Sequence, residues 1–297
     1  MKTADAVPHP LPEGEGTKNL PHTGLEGDGT EPDALRPVVL LYARFRTEED
    51  RVETSLKGKT VLITEALHHF GTPMALAFAR EGANLFLATL SDHEPLEHTA
   101  RAAASLGVKV VTEPCDLSRE AQVEAAVHKC MAELGHVDVV VNNVLFPVPA
   151  QAFGAVPFEV WKRKIEVELT GAFFLFKAVL PRMIEQQWGR IINFTGLAAV
   201  QGSDALTASA EQGMVGLTRG IAREYGKYNI TANCISAGGM ENEEAEGGLS
   251  FPPGPRDPIT RWGTPEELAF LAVSLASEEA GYVTGQCVLA NGGKYFL

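Results

Sequence analysis

From Leu56 onward the chain alternates between two hydrophobic rhythms. Short runs in which most residues are apolar recur at 60–64, 84–89, 109–113, 137–141, 190–195, 230–235 and 286–290. Between them lie longer stretches with apolar side chains three and four apart, near 71–81, 94–106, 119–134, 157–187, 204–227 and 264–277. The first rhythm predicts strands buried on both faces, and the second predicts amphipathic helices. Their alternation predicts an α/β fold: a single doubly wound parallel sheet of about seven strands with helices on both faces. In such a sheet the ligand crevice lies at the C-terminal strand ends.

The N-terminal part breaks this pattern. Residues 1–37 are rich in Gly, Pro and acidic groups, with seven Asp/Glu against three Lys/Arg. A segment that buries so little apolar surface cannot offset its ordering entropy, so it reads as a flexible tail. Residues 38–55 form an arm whose β-prone start, Val38 to Phe45, either docks on a surface or stays unfolded. Residues 56–297 make one folded domain, which the 297-residue length with 45% apolar residues readily supports. A net charge of -13 repels phosphate and excludes nucleic acid and anionic membrane surfaces as expected partners. No apolar run is long enough for a membrane span, and the start lacks the character of a signal peptide, so a cytoplasmic location is expected. Cys115, Cys130, Cys234 and Cys287 stand singly, without the close pairing of a metal or redox motif, and read as buried thiols with no metal site.

Several local motifs fall in a familiar order. Leu56-Lys-Gly-Lys-Thr-Val-Leu-Ile-Thr64 leads into the first turn, Cys115-Asp116-Leu117 follows the third strand, and Asp138-Val-Val-Val-Asn142-Asn143 forms the fourth. Gly189-Arg-Ile-Ile-Asn193, Arg261-Trp-Gly-Thr-Pro265-Glu266-Glu267, Val283-Thr-Gly285 and Asn291-Gly292-Gly293 come later. Together they resemble the short-chain dehydrogenase/reductase family, particularly its ketoacyl-reductase-like branch, over roughly 56–297. The resemblance implies a Rossmann fold. It also implies a dinucleotide-binding first turn, Thr-Gly-x-x-x-Gly-x-Gly, and a catalytic Asn, Ser, Tyr and Lys, the Tyr giving a proton that the Lys makes more acidic.

Against that pattern the chain is degenerate. Its first turn reads Thr64-Glu65-Ala66-Leu67-His68-His69-Phe70-Gly71, keeping only Gly71. A carboxylate of Glu65 beside the pyrophosphate would cost roughly 2 to 4 kcal/mol at close range, and His69 adds bulk. No cofactor is therefore expected, with NAD(P) at most weakly bound. Asp116 and Asn142 stand where the family contacts the cofactor, either as vestiges of that site or as residues that hold strand ends together. The Asn position is Glu168, the Ser position Gly196, the Tyr position Thr207 and the Lys position Glu211, and no tyrosine lies between Tyr42 and Tyr225. The loop beyond the sixth strand carries Glu241, Glu243, Glu244 and Glu246, either a lid hostile to acidic substrates or a solvated loop.

These losses point first to a non-catalytic structural or regulatory subunit. The expected partner is another family member or a second copy, met through helices 157–187 and 204–227 along Ala172, Phe173, Phe176, Ala178, Gly213, Met214, Gly216 and Ala222. The alternatives are a non-redox lyase, isomerase or hydrolase using the crevice carboxylates and imidazoles, and an atypical NAD(P)H-dependent reductase.

Overall fold

A computed structural model describes residues 54–67, 70–90, 93–149, 151–202, 204–241, 254–255 and 257–296. The run from Val38 to Phe45, His68, His69, Asn242, Glu243, Glu244, Glu246 and most of the lid lie outside the described residues. The strands are β1 (Thr60–Thr64), β2 (Asn84–Thr89), β3 (Val110–Pro114), β4 (Val139–Asn142), β5 (Gly189–Thr195), β6 (Ile230–Ala237) and β7 (Cys287–Ala290). The helices are α1 (Gly71–Arg80), α2 (His93–Ala104), α3 (Glu120–Leu134), α4 (Phe158–Ile165), α5 (Gly171–Gln186), the single turn α6 (Ala198–Gln201), α7 (Ala205–Tyr225) and α8 (Pro265–Ala276). Every strand pair is parallel, in the order β3-β2-β1-β4-β5-β6-β7.

The period of two along each strand divides its side chains between two cores. Val61, Ile63, Leu85, Leu87, Val139 and Val141 point to one face, where α1 supplies Met74 and Phe78 and α8 supplies Leu268 and Ala272. Leu62, Phe86 and Val140 point to the other, against α3, α5 and α7 through Val127, Phe176 and Met214. With both faces covered, the strands have no polar side to show. The strand order reverses between β1 and β4, which opens the crevice at their C-terminal ends.

Two expectations change. The helix predicted over 157–187 is interrupted by one wide π turn, Glu166–Thr170, between α4 and α5. The contact face proposed on α5 and α7 is largely interior: Ala172, Phe176 and Met214 are each 3% exposed or less, and Gly213 backs onto Leu169. Two residues of that face do point outward, Phe173 half exposed and Gly216 open. Phe173, Leu180, Pro181, Leu217, Ile221 and Tyr225 help to line a groove of about 370 Å³ there.

The base of the sheet is polar but closed. Arg190 is wholly buried, donating from Nε to Ser277 O at 3.2 Å and from NH1 to Asn229 O at 3.0 Å. Its guanidinium lies 4.3 Å from the Trp188 ring, and Lys59 Nζ lies 4.0 Å from the same ring. Asp138 accepts from Thr60 N at 2.7 Å, fastening β4 to β1. Cys115, Cys130 and Cys234 are buried free thiols, and burial pushes each up to about 12.

Candidate active site

At the β1–α1 turn Glu65 takes a left-handed backbone, φ +46°, a conformation that favours glycine. Its carboxylate reaches sideways to the end of β2, where Oε2 accepts from Thr89 Oγ1 and Oε1 from Leu90 N, both at 3.3 Å. Its carbonyl accepts from Asn143 Nδ2 at 3.1 Å. Gly71 opens α1, and a Cβ there would meet Ala66 O at 2.3 Å, so the turn closes only on glycine. Phe70 packs inward against Phe194, ring centroids 5.7 Å apart.

Asn142 lies in a buried row of side chains crossing the sheet beneath the crevice. It accepts from Thr64 Oγ1 at 3.3 Å and donates to Asn193 Oδ1 at 3.0 Å, and Asn193 donates to Thr218 Oγ1 on α7 at 2.9 Å. Asp116 sits apart, after β3. Its Oδ1 accepts from Ser118 N and Oγ, and Arg119 and Arg163 flank it at 3.4 and 3.7 Å. Those bonds and the two guanidinium groups hold its carboxyl below the usual carboxylate range, against the opposing effect of burial.

The structure gathers Glu168, Gly196 and Glu211 at the other end of the crevice. Glu211, 5% exposed on α7, accepts from Ala199 N at 2.8 Å. A Cβ added to Gly196 would lie 2.7 Å from its Oε1. Burial, reinforced by the charge of Glu168 and opposed by the Ala199 hydrogen bond and Lys164, pushes Glu211 up to about 7. Glu168 sits in the π turn, accepting at Oε1 from Phe146 N at 2.6 Å and from Lys164 Nζ at 2.7 Å. Lys164, which also donates to Phe146 O at 2.7 Å, is a buried cation that sequence reasoning missed. Its only sequence signal is the four-residue spacing to Glu168. Thr207 lies one turn before Glu211, its amide held by the Asp204 carboxylate that caps α7. The arrangement offers an acid of near-neutral pKa and a buried ion pair, with no phenol beside them among the described residues.

A seven-stranded doubly wound sheet with its crevice at the β1/β4 switch point defines a dinucleotide-type α/β protein. The family model of the enoyl-(acyl carrier protein) reductases matches residues 66–294, and the chain belongs to the short-chain dehydrogenase/reductase family. It is 32% identical over 246 residues to 3-oxoacyl-[acyl-carrier-protein] reductase FabG of Thermotoga maritima, covering 80% of this chain and 98% of that one. It is 28% identical to 2-dehydro-3-deoxy-D-gluconate 5-dehydrogenase of Formosa agariphila, covering 80% and 93%. Among solved structures, NAD+-bound xylitol dehydrogenase matches with TM-score 0.73 and 26% identity over 80% of this chain and all of that one. Levodione reductase matches with TM-score 0.74 and 30% identity, covering 80% and 98%.

The expectation that no cofactor binds does not stand. The chain belongs to a family of dinucleotide enzymes, and one of its structural relatives holds NAD+. The physical argument behind that expectation also changes, because the Glu65 carboxylate is tied to β2 by two hydrogen bonds instead of standing loose in the turn. At the phosphate end, the described residues of the turn fit a dinucleotide. Gly71 keeps the turn tight, and α1 opens without a side-chain cap, so the amides of Gly71 and Thr72, ahead of Pro73, are the donors a phosphate would use.

Proposed function

We propose that this chain is a dinucleotide-binding member of the family from which the carbonyl-reducing chemistry has been removed, serving as a non-catalytic subunit of a family oligomer. Gly71 and the amides opening α1 would hold the cofactor's phosphates, with Asp116 toward its adenine. A bound nicotinamide dinucleotide supplies hydride exchange where a partner acid is present. The observation that carries the reading is Glu211. The position that should bear a cation to make a phenol acidic bears a carboxylate instead, sealed against Gly196 and Ala199. A threonine hydroxyl beside a carboxylate is a far weaker acid than a phenol beside an ammonium. The groove between α5 and α7 suits a helical face of a related subunit.

The test joins calorimetry with turnover. Titration with NADH and NADPH should give a dissociation constant in the micromolar range for at least one of them. The same preparation should give no oxidation of either with 3-oxoacyl thioesters or sugar ketones. Measurable turnover would refute the non-catalytic reading. A second reading, a non-redox acid–base enzyme, is favoured by the near-neutral pKa of Glu211, and abolition by Glu211→Gln of a hydratase or isomerase activity would establish it.

A further inference from the structure

A doubly wound sheet of this strand order takes a dinucleotide as two mononucleotides, one on each side of the β1/β4 switch point. The adenosine half lies over β1 to β3, which leaves the nicotinamide to β4, β5 and β6. Gly196 directly follows β5, and the space its side chain would fill belongs to the Glu211 carboxylate, whose Oε1 lies 2.7 Å from an added Cβ. The nicotinamide ring is the part of the cofactor whose charge changes with oxidation state, positive when oxidised and neutral when reduced. We propose that Glu211 makes this crevice read the oxidation state of its cofactor, giving up its proton to solvent when the oxidised ring is bound and keeping it when the reduced ring is bound. The inference rests on the dinucleotide-binding reading above.

Three observations support it. Glu211 is buried, so a charge at the strand ends acts on it with little screening by water. The charged groups that face it are Glu168 from the π turn and Lys164 from α4, and the amides of Ala199 and Gly196 donate to it. Lys164 is bound to Glu168 Oε1 at 2.7 Å, so those two charges offset each other and an ionised Glu211 is left as one uncompensated negative charge. Burial also pushes Glu211 up to about 7, so the free chain near neutral pH holds a proton there that a nearby cation can displace. No hydride moves in this step: a carboxylic acid loses its proton to the buffer, and the cofactor keeps its electrons. The displaceable proton is present below pH 7 and gone above it, so affinity for the oxidised form climbs with pH and levels off above 7. Affinity for the neutral reduced ring stays flat.

The experiment is calorimetric titration of the full chain with NAD+, NADH, NADP+ and NADPH at pH 6 and pH 8. A further titration at pH 6.5 in two buffers of different ionisation enthalpy counts the protons released. For the pair that binds, a fall of about one pH unit in the Glu211 pKa under the oxidised ring makes that form bind about fivefold more tightly at pH 8 than at pH 6, with release of about half a proton at pH 6.5. The reduced form should change by less than about twofold and release none. Glu211→Gln, which keeps an acceptor for the Ala199 amide, should make the oxidised form behave as the reduced one does. Unchanged thermal unfolding of the unliganded variant establishes that it is folded, and the contrast between the two forms on the native chain decides the question without it. Equal pH dependence and equal proton release for the two forms, or proton release that survives in folded Glu211→Gln, would overturn the proposal alone. Silence with all four cofactors would overturn the dinucleotide reading and this inference with it.

Discussion

Glu211 and Gly196 depend on each other. With Glu211 raised from 4.5 to about 7, the folded chain holds a proton that the unfolded chain has released across that interval. Stability from this group is therefore greatest below pH 4.5, falls as pH rises toward 7 and is level above it, a total of about 3 kcal/mol. Urea unfolding at pH 5 and pH 8 should show this fall in the native chain, and Glu211→Gln should show a smaller one. Gly196→Ser would drive a Cβ to 2.7 Å from Glu211 Oε1, so it should destabilise by about 1–3 kcal/mol in the same assay. The cost should shrink in the Gly196→Ser, Glu211→Ala double variant, because the colliding oxygen is gone. The identities of these residues were plain in the sequence as departures from a pattern. Their proximity was not, because it depends on α6 folding back so that Ala199 N meets the carboxylate.

At the scale of elements, most of the fold was legible. Strands with apolar residues on both faces betray themselves, and the predicted segments match the seven strands to within two residues at either end. The π turn between α4 and α5 was hidden, since the three- and four-residue spacing runs through it and reads as one helix. Ion pairs were equally ambiguous. Lys162–Glu166 and Lys164–Glu168 share the same spacing, yet the first pair has side chains 51% and 42% exposed and the second 3% and 4%. The solvated pair contributes little to stability, while removing one partner of the buried pair strands a charge. Lys164→Met should cost about 3–5 kcal/mol by chemical denaturation, and adding Glu168→Leu should recover much of it. Lys162→Met should change stability by less than about 0.5 kcal/mol.

On the scale of the whole molecule, the outward surface of α5 and α7 leaves Phe173 half exposed beside an open groove. Sedimentation or light scattering should find the native protein above its 31.9 kDa chain mass, and Phe173→Glu should shift it toward that mass. If the partner is another family member instead of a second copy, the shift will appear only in the co-expressed complex. Among the described residues no helix is long and apolar enough to cross a membrane.

The base of the sheet, far from the crevice, provides an optical gauge. Of the three tryptophans, Trp188 is 8% exposed and held between Lys59 and Arg190, while Trp262 borders a pocket near the end of β6. Intrinsic fluorescence thus divides into a signal for global unfolding and one for events near the strand ends. In a Trp161→Phe, Trp262→Phe chain, the emission of Trp188 would follow unfolding with no contribution from whatever occupies the crevice. Stability could then be read without a label, whether or not the crevice is occupied.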